Sequence, residues 1–499
     1  MGVIVDATMG DIKLTESQQN ALNKIRAFLK DNTVKVFILK GFAGTGKTTM
    51  VKAVLADLIK KGDSFILLAS TGRAAKVLSD ATQIQFLDES GTLRNTYYPA
   101  KTIHSQIYSF SEISQDLELF EKSEFAQEIT SEKSVKLRFT LSHHENGASN
   151  TVYIIDEASM ISDTKESSLS QAEYGSEGRL LKDLFEYDNN GKYIFVGDMC
   201  QLPPVNQSFS PSLCKTYIES TFRYATSEVE LTEVVRQASD NDIALSASRI
   251  RKLYLSSNKN KIASFPFRGY KHIHIVENQI EMLNMYIKSI KNRDYSKSTM
   301  IVMSNRMVAT LSNIIRPAIG FNETRLSIDD LLLVTQNNMI SGLMNGDLVK
   351  VTQIGNREKR AGLTFVYVEV ESLSSHKLYG QLMIEDVLYC GGTNITPEQQ
   401  TQLFIDYHLR MKSLGVKQNS SQYKEGMFMD HYLNALRCVF GYVLTCHKSQ
   451  GGEWDNVFLI IPRGLPYNNP RSYAYQWVYT AMTRAKKELY VIEDYWVSN

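Results

Sequence analysis

After an apolar run at residues 34–39 and before a helical stretch reaching Lys60, the chain reads Gly41-Phe-Ala-Gly-Thr-Gly-Lys47-Thr48. No other segment restricts the fold as strongly. Glycines at this spacing let the backbone turn its N–H groups toward an anion, and the helix that follows adds the positive end of its dipole. A buried strand leading through such a loop into a helix belongs to a parallel sheet covered by helices on both faces. Lys47 is then placed to reach the outer phosphates of a nucleotide, and Thr48 to hold Mg²⁺. The nucleotide-binding candidates are Gly41, Ala43, Gly44, Thr45, Gly46, Lys47, Thr48 and Thr49.

Similar short apolar runs recur at 64–69, 151–155, 193–196, 299–303 and 457–461, with helical stretches between them. They predict an α/β, doubly wound architecture with parallel sheets. At 499 residues the chain exceeds what one core usually holds, so two large units are expected. Two stretches break the rhythm. An acidic segment at 108–150 reads as an inserted arm whose one basic cluster is Lys136, Arg138, His143 and His144. From 331 to 388 the pattern alternates at period two between glycines, as in a small antiparallel barrel, and a charged helical segment follows at 397–414. The expected division is 1–210 for the first unit with its arm, 211–320 for the first part of the second, 321–435 for the inserted barrel and its helical extension, and 436–499 for the remainder of the second.

Thr151-Val-Tyr-Ile-Ile155 ends in Asp156-Glu157, which places two carboxylates at the edge of the sheet where ligands of open α/β folds bind. Asp156 is the metal candidate beside Thr48, and Glu157 is free to polarise an attacking water. Together with the phosphate loop, these acids predict hydrolysis of the nucleotide as well as its binding. Gln201 follows the run at 193–196 at the same edge and can orient that water. Arg236 and Arg484 lie far along the chain from Lys47. Either fits a charge brought to the phosphates by closure of the two units, and either fits an ordinary structural ion pair. Gln18, before the apolar face Leu22, Ile25 and Leu29, fits an adenine reader and equally a helix cap.

Composition excludes several classes. No apolar run approaches the roughly 20 residues that span a bilayer, so no membrane role is expected. Five scattered cysteines without a C-x-x-C pair signal neither a disulfide framework nor zinc and suit a reducing, cytoplasmic setting. A net charge of +1 means that any nucleic acid must be held by a local groove.

Taken in order, Leu14-Thr-Glu-Ser-Gln18, the phosphate loop, Ser70-Thr-Gly-Arg-Ala-Ala75, Thr102-Ile-His104-Ser, Asp156-Glu-Ala-Ser-Met160, Gly197-Asp-Met-Cys-Gln201-Leu-Pro-Pro204, Leu231-Thr-Glu-Val-Val-Arg236, Leu444-Thr-Cys-His-Lys-Ser-Gln450-Gly and Tyr479-Thr-Ala-Met-Thr-Arg484-Ala resemble the superfamily 1 DNA helicases of the 5′-to-3′ branch, in particular RecD-like and Dda-like members. That resemblance spans nearly the whole chain. It implies two RecA-like motor domains, with the arm in the first carrying a strand-splitting pin and a Src-homology-like barrel inserted in the second. Also implied are ATP and Mg²⁺ as cofactors, Arg236 and Arg484 in finger roles, and Gly451 and Glu453 approaching the nucleotide from the second domain. Thr71, Thr102, His104, Asn305, Thr445 and His447 match the positions that grip single-stranded DNA. The implied activity is a monomeric, ATP-driven motor on single strands and single-strand/duplex junctions, with replication or recombination proteins as partners. A subunit of a nuclease complex, an RNA-directed motor and a non-enzymatic nucleotide switch are the alternatives.

Overall fold

The computed structural model describes residues 14–82, 84–87, 93–114, 117, 135–142, 150–165, 172–233, 242–256, 262–321 and 324–499. Its first sheet is wholly parallel and runs, edge to edge, Thr226–Leu231, Val36–Gly41, Lys192–Gly197, Val152–Asp156, Phe65–Ala69 and Lys101–Thr102. Pleating sends alternate side chains to opposite faces. Phe37, Leu39, Ile154, Ile194 and Val196 join a core with helices Glu16–Lys30 and Lys47–Lys61. Their neighbours Val36, Ile38, Tyr153, Ile155, Tyr193 and Phe195 join a separate core with helices Leu180–Tyr187 and Lys215–Phe222. Burial on both faces is why these strands read as continuous apolar runs.

A second parallel sheet runs Ile273–Val276, Ala485–Ile492, Trp454–Leu459, Ser298–Val302 and Val443–Thr445. Inserted in the chain between the paired strands Ser298–Val302 and Val443–Thr445 is an antiparallel sheet in the order Leu378–Ile384, Leu363–Ser372, Leu348–Arg360, Leu331–Val334 and Cys438–Phe440. A bridge from Met383 to Leu436, carried by Ile384 N–H to Leu436 O at 3.0 Å and Leu436 N–H to Leu382 O at 2.8 Å, brings the two edges of this sheet together. The helical extension follows as Pro397–Ser413, opened by a Thr396/Gln399 capping box, and a further helix, Ser421–Met429.

Two expectations change. Thr226–Leu231 lies in the first sheet, so that unit runs beyond the expected boundary at 210. The arm is a small sheet of Tyr108–Ile113, Leu137–Leu141 and Ala172–Tyr174, the last from outside the expected 108–150. Its cations are neutralised locally, Lys136 by Glu173 at 3.1 Å and Arg138 by Glu112 at 2.8 Å, whereas His143 and His144 lie outside the described residues. Ile113, Leu117 and Val135 of the arm share a core with Leu363, Phe365, Phe404 and Tyr407 of the insert.

The insert is anchored to the second unit by a buried ion pair. Arg316 on helix Asn305–Ala318 donates through Nε and Nη2 to Asp330 at 2.9 and 2.8 Å, and Tyr442 O–H and Ser327 N–H reach the same carboxylate at 2.7 and 2.8 Å. Asp330→Ala would strand a buried guanidinium and a tyrosine hydroxyl. The expected loss is about 3–5 kcal/mol, read as a lowered midpoint in urea; a change below about 1 kcal/mol would contradict this account.

Candidate nucleotide site and strand path

Gly44 and Gly46 take left-handed φ values of 82° and 80°, which open the loop between Val36–Gly41 and Lys47–Lys61. A side chain at Gly41 would bring its Cβ within 2.6 Å of Thr45 Oγ1, so close packing of the loop on itself also requires glycine there. Gly46 caps the following helix without any side-chain bond, which leaves the first-turn amides available to an anion. Lys47 folds back so that Nζ donates to Gly41 O at 2.9 Å and Phe42 O at 3.1 Å. Gln18 lies beneath the loop, its Oε1 accepting from Thr15 N–H at 3.0 Å and its Nε2 donating to Thr45 O at 3.0 Å. Gln18 thus completes a helix capping box and ties the helix to the phosphate loop.

Asp156 ends its strand next to Ala69, and its Oδ1 accepts the Glu157 N–H at 2.9 Å. Desolvation at the strand end, then the charge of Glu157, pushes the Asp156 carboxyl above the usual range. Glu157 itself has a left-handed backbone, φ 49°, a conformation that non-glycine residues keep mostly where function requires it. Asp198, fully buried, accepts Cys200 N–H at 2.9 Å and Tyr479 O–H at 2.8 Å, and burial raises its carboxyl too. Gln201 is 3% exposed, and its Oε1 has no partner among the described residues. A buried carbonyl oxygen without a donor is poised for a water or ligand.

The second unit completes the site. Helix Arg471–Met482 docks on the 198–202 loop through Gln476 Nε2 to Met199 O at 3.2 Å, Tyr479 O–H to Asp198, and Leu202 N–H to Thr480 Oγ1 at 2.9 Å. Tyr479 also accepts the Ala43 N–H at 3.1 Å, so one hydroxyl bridges the phosphate loop and the carboxylate of the other strand end. Apolar contact reinforces this joint, since Phe42, Cys200 and Leu202 belong to the core of the second unit. Arg484 is 6% exposed and donates to Thr480 O at 3.0 Å, Gly452 O at 3.3 Å and Thr483 Oγ1 at 3.2 Å.

A single cleft of about 840 Å³ brings together Lys47, Thr48, Asp156, Glu157 and Gln201 from one side with Gly451, Glu453 and Arg484 from the other. Of the sequence candidates, Arg236 lies outside the described residues. The cleft also contains Arg73, which is not among those candidates. Its guanidinium stacks over the Trp454 ring at 5.2 Å, and Nη1 is buried without a partner among the described residues. A Cβ at Gly452 would come within 2.6 Å of Arg73 Nη2, so a glycine there is what admits the arginine. Among the described residues no cluster of three or more His, Cys, Asp or Glu forms a metal cage. Thr48 and Asp156 both line the cleft, and two oxygen donors of this kind suit a hard divalent cation that takes its other ligands from phosphates and water.

The strand-gripping candidates occupy matching positions in the two sheets. Thr71 follows Phe65–Ala69 and Thr102 ends Lys101–Thr102, while Asn305 follows Ser298–Val302 and Thr445 ends Val443–Thr445. All four lie at C-terminal ends of neighbouring strands at one side of each sheet. The three threonines are also helix caps, accepting from Ala74, Ser105 and Lys448 N–H at 3.2, 3.2 and 3.3 Å. His104 packs against Tyr108 and Tyr174 at ring distances of 5.9 and 5.1 Å, and burial lowers it to about 4, so at neutral pH it is an uncharged imidazole. His447 is lowered by burial as well.

Residues 13–255 match the family model of the AAA domain, and residues 440–492 that of the UvrD-like helicase C-terminal domain. The uncharacterized protein MJ1519 of Methanocaldococcus jannaschii is 25% identical over 92% of the chain, which spans 37% of that protein's length. The RecBCD enzyme subunit RecD of Buchnera aphidicola subsp. Schizaphis graminum is 22% identical over 95% of the chain and 73% of its own. The ATP-dependent DNA helicase dda of Enterobacteria phage T4 is 44% identical over 63 residues, 13% of the chain and 14% of the phage protein. Among solved structures, Pif1 helicase from Bacteroides in complex with ADP-AlF3 and ssDNA aligns over 97% of the chain and 93% of its own with 17% identity and a TM-score of 0.47. No helix among the described residues is long and apolar enough to cross a membrane. With the two domain models in this order along the chain and the RecD and Dda relatives beside them, the chain is similar to superfamily 1 helicases of the RecD-like and Dda-like kind.

Proposed function

We propose that this chain is an ATP- and Mg²⁺-dependent DNA helicase that moves 5′ to 3′ along single-stranded DNA and separates the duplex ahead of it. The observation that carries this reading is the cleft whose phosphate loop and acids come from one unit and whose Arg484 comes from the other. When bound, ATP and Mg²⁺ would be held by the loop amides, Lys47, Thr48 and Asp156, with the metal neutralising phosphate charge. Glu157 takes the proton of the attacking water and Gln201 orients that water. Arg484 places its charge at the terminal phosphate only when the units close, so hydrolysis and relative movement of the units are one event. Thr71 and Thr102 on one unit and Asn305 and Thr445 on the other grip successive phosphates without reading bases. The capping hydroxyls of Thr71 and Thr445 accept from their helices and keep a proton to donate, whereas that of Thr102 donates to Ser105 Oγ at 2.9 Å and would have to turn from it. Polarity and DNA preference rest on the resemblance to the RecD-like and Dda-like branch.

Forked DNA with only a 5′ tail or only a 3′ tail, given ATP and Mg²⁺, tests the reading. Strand separation is expected from the 5′-tailed fork alone. Preference for the 3′ tail reverses the assigned polarity, and ATP turnover without separation reduces the activity to translocation.

A further inference from the structure

A cavity of about 400 Å³ opens beside the second unit's part of the strand path, between helix Asn305–Ala318 and the inserted sheet. Asn305 and Thr445, both proposed for backbone gripping, line it together with Tyr389 and Phe440. Two observations mark it as more than a packing defect. Ser312 is 1% exposed on the cavity wall, yet its hydroxyl has no partner among the described residues. Helical hydroxyls normally bond back to the carbonyl four residues earlier, as Ser79 and Thr310 do here at 2.8 and 3.0 Å. The Ser312 hydroxyl is thus left for something that enters the cavity. Tyr389 sets its ring edge-on to Phe440 at 5.9 Å and 68° and stays 43% exposed, which leaves a ring face open. An aromatic face, a largely apolar wall and a few short polar groups are what a flat heteroaromatic ring requires, and the volume lies in the range of small-ligand pockets, about 300–1,000 Å³.

We propose that this cavity is a nucleobase pocket, which takes one base of the bound strand out of the backbone path, stacks it on Tyr389 and meets its polar edge with Ser312. The proposal rests on the single-strand reading above. Stacking supplies most of the binding and the hydroxyl serves as donor or acceptor, so the pocket accepts any base. Its effect is to hold one nucleotide in register against the second unit while the backbone grips change. Gly391 and Gly392 form part of the rim and leave room for the sugar that follows the base inward.

The test is an abasic scan. Single-stranded oligonucleotides carrying one abasic nucleotide, moved one position at a time from a fluorescent end, are titrated with the full chain and read by anisotropy. One position is expected to lose affinity by about five- to a hundredfold, the range for removing one base–aromatic stack. Tyr389→Ala should flatten the profile, and Ser312→Val, close in volume, should weaken the same position less. A flat profile in the unmodified protein with tight binding to intact strands overturns the pocket and leaves the strand reading standing. A dip that survives both substitutions puts the base elsewhere and overturns it as well. Failure to bind any single strand overturns the pocket together with the proposed function.

Discussion

Arg484→Ala is expected to lower nucleic-acid-stimulated ATP turnover about a thousandfold or more, while nucleotide affinity falls by no more than about tenfold, because finger arginines act on charge that develops in the transition state. The geometry separates this role from a structural one. A structural arginine in this fold looks like Arg316, fork to fork with Asp330. Arg484 has instead three neutral acceptors, Thr480 O, Gly452 O and Thr483 Oγ1, and no carboxylate within ion-pair distance among the described residues. Those bonds hold the guanidinium without neutralising it, and Arg73 faces the same cleft. Arg73, which feels Asp347 as well as Arg484, lines the same cleft, so two guanidinium groups stand on the side of the nucleotide site that faces the phosphate loop. Arg484→Lys, which keeps the charge and loses the fork, should recover part of the turnover. Steady-state ATPase rates set beside binding of a fluorescent nucleotide separate the two effects. Turnover near that of the unmodified protein in Arg484→Ala would remove the second unit from the chemistry.

The features legible in the sequence are those that chain-local physics fixes. A buried strand, a glycine loop and a helix follow one another within residues 36–61, and the run Val152–Ile155 must deliver Asp156 and Glu157 to the sheet edge because that is where the strand stops. Thr226–Leu231 is not legible as part of the first sheet. It is an edge strand with alternating exposure, so Thr-Ser-Glu-Val-Glu-Leu lacks the apolar run by which its neighbours are recognised. Arg73 is hidden for a different reason. Its segment points to Thr71, and only the placement of Trp454 and Gly452, far along the chain, shows that the guanidinium faces the cleft. Tyr479 is similar, since a hydroxyl that joins Ala43 to Asp198 has no signature in either segment. With Gln18 and the three threonines the local signal is present and has two meanings, because a capping side chain and a ligand-binding one use the same atoms.

Glu157→Gln should reduce turnover by about a hundred- to ten-thousandfold, the range for removing a general base, and leave nucleotide and Mg²⁺ binding intact. The amide is nearly isosteric and keeps the backbone N–H that holds Asp156 Oδ1 at 2.9 Å, so the metal candidate stays in place. Its electrostatic effect on Asp156 is favourable. Burial first and the Glu157 charge second raise the Asp156 carboxyl, so neutralising residue 157 moves Asp156 down toward its ordinary value and favours its ionised form. The sign matters, because a variant that weakened metal binding would also stop turnover and would imitate the loss of a base. The lost Glu157 charge also weakens the attraction for the dication, so the two effects oppose each other and binding is measured directly; slow hydrolysis with Mg²⁺-nucleotide binding close to that of the unmodified protein isolates proton transfer as the missing step. Titration of Mg²⁺ against a fluorescent nucleotide, followed by single-turnover hydrolysis, makes the measurement. Turnover within about tenfold of the unmodified protein would mean that another group takes the proton. Asp198, the other buried carboxylate at this sheet edge, is a poor substitute, because Tyr479 and Cys200 already occupy its two oxygens. Glu157 leaves its strand with a left-handed backbone and lines the same cleft as Gln201, whose buried oxygen has no partner among the described residues, so the expected base and the expected water-orienting group share one cleft.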